Sequence, residues 1–150
     1  MAFDTLRLTG RDVPAMRKLL AMFAEAFEDD AAYASQPPSD AYLRAFLDRA
    51  DSIVLATFDE TGAVVGGLVA YVLAKFEQER SEVYIYDLAV AQTHRRRGIA
   101  TRLIGELRQV ARVLGAYVIY VQADPPDAPA VALYESLGTR EDVYHFDIEV

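Results

Sequence analysis

Eight residues, 91 to 98, join two patterns that belong to different kinds of element. Upstream, Glu82 to Val90 is dense in Val, Ile and Tyr and reads as a strand. Downstream, Ile99, Leu103, Ile104, Leu107, Val110, Ala111 and Leu114 recur at helical spacing and stop at Gly115. Another apolar run, Ala116 to Gln122, follows at once as a buried strand. A strand, a long amphipathic helix and a strand in this order require an α/β fold with a helix-covered sheet.

The remaining chain fits that frame. Thr5 to Leu8 is a short strand. Asp12 offers an N-cap with Pro14 in the first turn, and Met16, Leu19, Leu20, Phe23 and Phe27 continue a helix. After the breaker segment 35–40, Asp40 caps a second short helix with Leu43, Phe46 and Leu47 on one face. Ser52 to Phe58 and Ala63 to Leu73 are strands joined by the turn Asp59-Glu60-Thr61-Gly62. Pro129 to Leu137 forms a short helix, and Val143 to Glu149 a closing strand on which His145 and Phe146 pack. The order β-α-α-β-β-β-α-β-α-β gives a mixed sheet without the regular alternation of a doubly wound nucleotide fold. At 150 residues and 53% hydrophobic, the chain suits one domain spanning 1–150, with no repeat or dividing linker.

Composition narrows the chemistry. There is no cysteine, so disulfides and thiol nucleophiles are excluded, and a cytoplasmic home is expected. Two histidines, His94 and His145, do not make a His-rich metal site, and no metal is expected. No apolar stretch reaches the ~18 residues of a membrane span, and the first residues carry no signal-peptide pattern. With 23 Asp and Glu against 15 Lys and Arg, the net charge of −8 argues against nucleic acid and leaves cationic partners open.

Against that balance, Arg95, Arg96 and Arg97 stand together before Gly98 at a helix start. Three cations there oppose the helix dipole. An anion would compensate them, because a helix N-terminus presents unpaired amides. Gly98 and Ala100 leave room for the backbone to close on it. The pattern Arg-x-x-Gly-x-Ala thus reads as a pyrophosphate cradle, distinct from a P-loop or a Gly-x-Gly-x-x-Gly turn. The alternative is a solvated basic helix start.

"IYDLAVAQTHRRRGIATRLI" resembles motif A of the GNAT acetyltransferase superfamily, and "ALYESLG", residues 132 to 138, resembles motif B. "AYVLAKFEQERSEVYIYDLAV", "LGAYVIYVQAD", "DAPAVALY" and "HFDIEV" are similar to the type I aminoglycoside 3-N-acetyltransferases, as is "YLRAFL" nearer the start. The likeness runs over most of the chain and is most specific over 64–148. Ala100 replaces the last loop glycine, a variant the pattern accepts, and Gln92 stands where many members have proline.

This resemblance implies a mostly antiparallel sheet flanked by helices, with a splayed, bulged central strand. It implies acetyl-CoA as cosubstrate, direct transfer without an acyl-enzyme, and a homodimer. The substrate would be the 3-amino group of the 2-deoxystreptamine ring of aminoglycosides such as gentamicin, and the outcome antibiotic resistance. Leu88, Ala89 and Val90 would meet the pantetheine arm and thioester. Arg95, Arg96, Arg97, Gly98, Ile99, Ala100 and Thr101 would meet the pyrophosphate. Tyr134 of motif B would protonate the departing thiolate, or simply pack on the sheet.

The general base is Asp87 or, next, Glu82. Strand alternation puts Glu82, Tyr84 and Tyr86 on one face and Asp87 on the other, unless a bulge shifts it. Asp87 could instead anchor substrate or hold backbone amides. A cleft for a polycation should be acidic, with Glu28, Asp29, Asp124 and Asp147 as candidates and Tyr33 as a wall or hydroxyl, each otherwise an ordinary surface or core residue. Other readings are a GNAT enzyme of another small amine (a polyamine, a metabolite or a peptide N-terminus) and a non-catalytic acyl-CoA-binding module.

Overall fold

The computed structural model describes residues 2–150. Its elements are β1 (Asp4–Arg7), α1 (Val13–Phe27), α2 (Asp30–Tyr33), α3 (Asp40–Leu47), β2 (Ser52–Phe58), β3 (Val64–Ala74), β4 (Ser81–Val90), α4 (Ile99–Val113), β5 (Ala116–Val121) and α5 (Ala128–Leu137). A single 3-10 turn, Gln92–His94, lies between β4 and α4. The residues up to Tyr120 form one compact unit and 121–150 a second. Among the described residues no helix is long and apolar enough to cross a membrane.

The strands form one sheet in the order β1-β2-β3-β4-β5. The first three pairings, β1–β2, β2–β3 and β3–β4, are antiparallel. The β2–β3 turn closes as its sequence predicts: Asp59 accepts from the Thr61 and Ala63 amides, and Gly62 takes φ 81°.

Helices cover both faces of this sheet. On one, Leu19, Met22 and Phe23 of α1 and Leu43 and Leu47 of α3 pack with Val54, Ala56, Val69 and Ala89. Phe23 and Leu19 are fully buried, and each such side chain contributes about 1.5–3 kcal/mol. On the other face, Ile99, Leu103 and Leu107 of α4 are buried. Leu68 pairs with Leu55, and Ala70 with both Ile53 and Ile85, to form the apolar sheet surface on that side.

Two adjacent glycines let both helices close in. A Cβ on Gly66 would lie 2.7 Å from Ile99 of α4, and one on Gly67 would lie 2.2 Å from Leu19 of α1. No side chain fits on either side of the sheet at that point.

Three expectations are corrected. Asp12 sits at the N-cap of α1 but makes no side-chain cap bond, because its carboxylate accepts from the Thr9 amide at 2.7 Å and closes the preceding turn. The α3 cap is Ser39, which accepts from the Tyr42 amide at 3.1 Å, while Asp40 is the first helical residue and pairs with Arg17. The closing strand is absent: residues 139–150 adopt no regular element. A strand is held by a ladder, and this segment joins none. The whole segment is exposed, Tyr144 at 92% and Phe146 at 79%, so Phe146 is not packed as expected.

Candidate active site

The geometry around Asp87 begins with one extra residue in β4. Asp87 lies opposite Val69, but Ile85 lies opposite Ala70, so Tyr86 has no partner in the ladder. This bulge shifts the side-chain alternation by one. Tyr84, opposite Tyr71, and Asp87, opposite Val69, therefore share the α1 face despite being three residues apart. Strict alternation would have sent Asp87 to the α4 face.

There Asp87 meets a side chain from far away in the chain. The Tyr33 hydroxyl donates to Asp87 Oδ2 at 2.7 Å. Tyr33 ends α2, a four-residue helix capped by Asp29, whose carboxylate accepts from the Ala32 amide at 3.1 Å. Its ring packs on Phe23 and Phe27, with centroids 5.9 and 5.4 Å away. The α1 core thus fixes the ring, and the Asp29 cap fixes the turn that carries it.

Burial pushes the Asp87 carboxyl above its ordinary range, and the Tyr33 hydrogen bond partly offsets this. Burial, and then the same bond, raises Tyr33, so its hydroxyl stays protonated and donates. A half-buried carboxylate with a raised proton affinity is a better base than an exposed one.

Glu82 is placed differently. It lies opposite Leu73, about 16 Å along the strand from Asp87 at the usual rise per residue. It accepts from the Tyr117 hydroxyl at 2.5 Å and pairs with Lys75 at 3.3 Å. The Arg80 guanidinium stacks 3.8 Å over the Tyr117 ring. These bonds clamp the far end of the β3–β4 hairpin, and Tyr117 with Lys75 holds Glu82 below the usual carboxylate range.

Past Asp87, β4 leads straight into the arginine loop. Leu88 lies opposite Leu68, Ala89 opposite Gly67 and Val90 opposite Gly66. Arg95 folds back, its Nε donating to the Val90 carbonyl at 3.2 Å. Arg96 adopts φ 63°, a left-handed conformation uncommon for a residue with a side chain. Gly98 follows at φ 77° as the N-cap of α4. Ile99, Ala100 and Thr101 form the first turn, where amides have no intrahelical acceptor.

A Cβ on Gly98 would meet nothing within 4 Å, so open space lies over this helix start. Arg95, Arg96 and Arg97, all exposed, immediately precede it in the chain. Open space, outward amides and three cations fit a pyrophosphate. His94 Nε2 lies 3.9 Å from Asp59 of the β2–β3 turn.

The other acidic candidates are dispersed. Glu28 is exposed and takes φ 52° at the end of α1. Asp124 is exposed, its carbonyl accepting from the Asp127 amide at 2.9 Å. Asp147 is exposed and bonds His145 Nε2 at 2.9 Å. In the same unit, Tyr134 is half-buried on α5, its hydroxyl pushed up to about 12 by burial and by the Asp127 charge.

A cavity of about 1300 Å³ lies elsewhere, beside the start of α1. Its carboxylates are already engaged: Asp12 by Thr9, Asp40 by Arg17 and Asp48 by the Gly10 amide. Among the described residues no cluster of three or more metal-ligating side chains occurs.

Known proteins give this geometry a context. A solved aminoglycoside acetyltransferase, HMB0005 from an uncultured soil metagenomic sample, shares 54% identity, covering 100% of this chain and 99% of its own at a TM-score of 0.98. A second one from such a sample, meta-AAC0020 in complex with sisomicin, shares 31% identity over 99% of this chain and 96% of its own, with a TM-score of 0.91. The ribosomal-protein-alanine N-acetyltransferase of Brucella melitensis biovar Abortus 2308, 24% identical over all of both chains at a TM-score of 0.76, shares the fold. A search of curated proteins gives no significant match. Residues 16–139 match the acetyltransferase (GNAT) family model, which uses acetyl-CoA as acyl donor. By that match, which spans most of its length, the chain belongs to the GNAT acetyltransferase family.

Proposed function

We propose that this protein transfers the acetyl group of acetyl-CoA directly to the 3-amino group of the 2-deoxystreptamine ring of aminoglycosides such as gentamicin. The observation that carries this reading is the Asp87 carboxylate, turned by the bulge to the α1 face and held by Tyr33 just before Leu88–Val90. The 54% identity to an aminoglycoside acetyltransferase supports the substrate class. Acetylation would remove a cationic centre from the antibiotic and confer resistance in the cytoplasm.

In this reading Asp87 takes a proton from the amine as its nitrogen forms the new C–N bond to the acetyl carbon. The backbone of Leu88 and Val90 lies along the pantetheine arm and the thioester oxygen. The first-turn amides of α4, with Arg95 to Thr101 around them, hold the pyrophosphate. The C–S bond breaks and the sulfur leaves as a thiolate. Tyr134 returns a proton to that thiolate as general acid, which closes the proton balance of the transfer.

Asp29, Glu28, Asp124 and Asp147 supply acidity for a cationic substrate. The whole chain acts as one acetyltransferase domain. It works as a homodimer, in which the apolar side chains of the 143–150 tail, exposed in the single chain, are covered by a second copy.

The decisive experiment measures acetyl-CoA turnover with gentamicin, kanamycin, spermidine and a peptide amine, and reads the acetylated position by NMR. Turnover of gentamicin with 3-N product is expected. Spermidine turnover with inert gentamicin would overturn the proposal.

A further inference from the structure

Beside Asp87, on the same face of the sheet, four tyrosines form a connected array. Tyr71 and Tyr84 are direct partners across β3 and β4. Tyr86, the bulged residue, meets Tyr71 at 5.6 Å and 78° and Tyr84 at 5.9 Å and 76°. Tyr84 stacks on Tyr120 of β5 at 4.7 Å and 7°. Phe46 of α3 braces the other end, edge-on to Tyr71 at 6.1 Å.

A tyrosine in a sheet is ordinarily a packing residue. Tyr86 departs from that role. It is held edge-to-face by two neighbours, yet 61% of it is exposed. The bulge that frees it from the ladder also brings Asp87 to its side. The nearby cation acting on Tyr71 is Arg49, which is already paired with Asp51 at 2.8 Å. A fixed aromatic surface beside an unneutralised carboxylate favours a positively charged ligand with apolar ring faces.

We infer that Tyr71, Tyr84 and Tyr86 form an aromatic floor that receives a protonated amino-sugar ring by cation–π and CH contacts, presenting its neighbouring amine to Asp87. The inference rests on the aminoglycoside reading and adds a specificity surface to it. Since the array is preorganised by its own packing, little ordering cost is left for binding. The ring faces carry the recognition, and the Tyr86 hydroxyl is dispensable to it.

The test compares Tyr86→Leu with Tyr86→Phe in steady-state kinetics with gentamicin and acetyl-CoA, together with thermal unfolding. Tyr86→Leu should raise the KM for gentamicin about tenfold, within the range of a partly desolvated cation–π contact. Tyr86→Phe should stay within about twofold of the parent, because its π face is retained. The KM for acetyl-CoA and the unfolding midpoint should hold in both, which reports an intact fold. A gentamicin KM unmoved by Tyr86→Leu, or moved equally by Tyr86→Phe, overturns the floor. A parent enzyme inert to gentamicin but active on another amine overturns the substrate reading, and the floor falls with it.

Discussion

Tyr33 and Asp87 are 54 residues apart in the chain, yet the hydroxyl of one donates to the carboxylate of the other at 2.7 Å. The bond opposes the effect of burial on Asp87. Its loss therefore has a defined sign. A base works when deprotonated, so activity falls as pH drops through its pKa, and in the parent that limb lies above the ordinary carboxylate range. Tyr33→Phe removes the group that pulls the pKa down, so the acidic limb of kcat/KM should move up by about one pH unit. A pH–rate profile reads this directly, and an unmoved limb would uncouple Tyr33 from the base.

Replacing the carboxylate itself should act on the chemical step. Asp87→Asn keeps the shape and still accepts from Tyr33 but removes the base. Turnover of gentamicin should fall by roughly 10²–10⁴-fold with the KM for acetyl-CoA little changed. Near-parental turnover would place the proton acceptor elsewhere.

The arginine loop should govern the other substrate. Gly98 is left-handed at φ 77°, so Gly98→Val forces a branched side chain into a conformation it avoids and tilts the first amides of α4. The KM for acetyl-CoA should rise about tenfold or more. Arg97→Ala should raise it less, because the backbone amides are the main contact. Isothermal titration with coenzyme A separates binding from turnover.

Gly67→Ala tests the sheet's thinness. The new methyl would lie 2.2 Å from Leu19, itself fully buried, and 3.1 Å from the Leu55 carbonyl. A loss of about 1–3 kcal/mol in unfolding free energy is expected from overpacking, measured by urea denaturation. An unchanged midpoint would mean that α1 moves freely away from the sheet.

Much of this was legible in the amino-acid order. Apolar spacing marked α1, α3 and α4, and Asp59 with Gly62 marked the β2–β3 turn, because these signals are local. The loop Arg95-x-x-Gly98-x-Ala100 was legible for the same reason. The face occupied by Asp87 was not, since a bulge is a mismatch between two strands and neither strand states it alone. Nor was α2, four residues whose support is the Asp29 cap and the stack of Tyr33 on Phe23 and Phe27. The 143–150 segment misled in the opposite direction. Its alternation is that of a strand, but a strand needs a paired neighbour, and residues 139–150 adopt no regular element.

The unpaired Tyr86 also sets the parity of β4. Everything before it and everything after it must count from opposite phases to present Tyr84 and Asp87 on one side. Losing a single residue between Ile85 and Asp87 would restore even counting and turn one of those segments over, carrying apolar core outward and polar groups inward. This strand should therefore tolerate many exchanges of residue type and almost no change of length. Relatives that bind the same way should keep the number of residues between Tyr84 and Asp87 more strictly than the residues themselves.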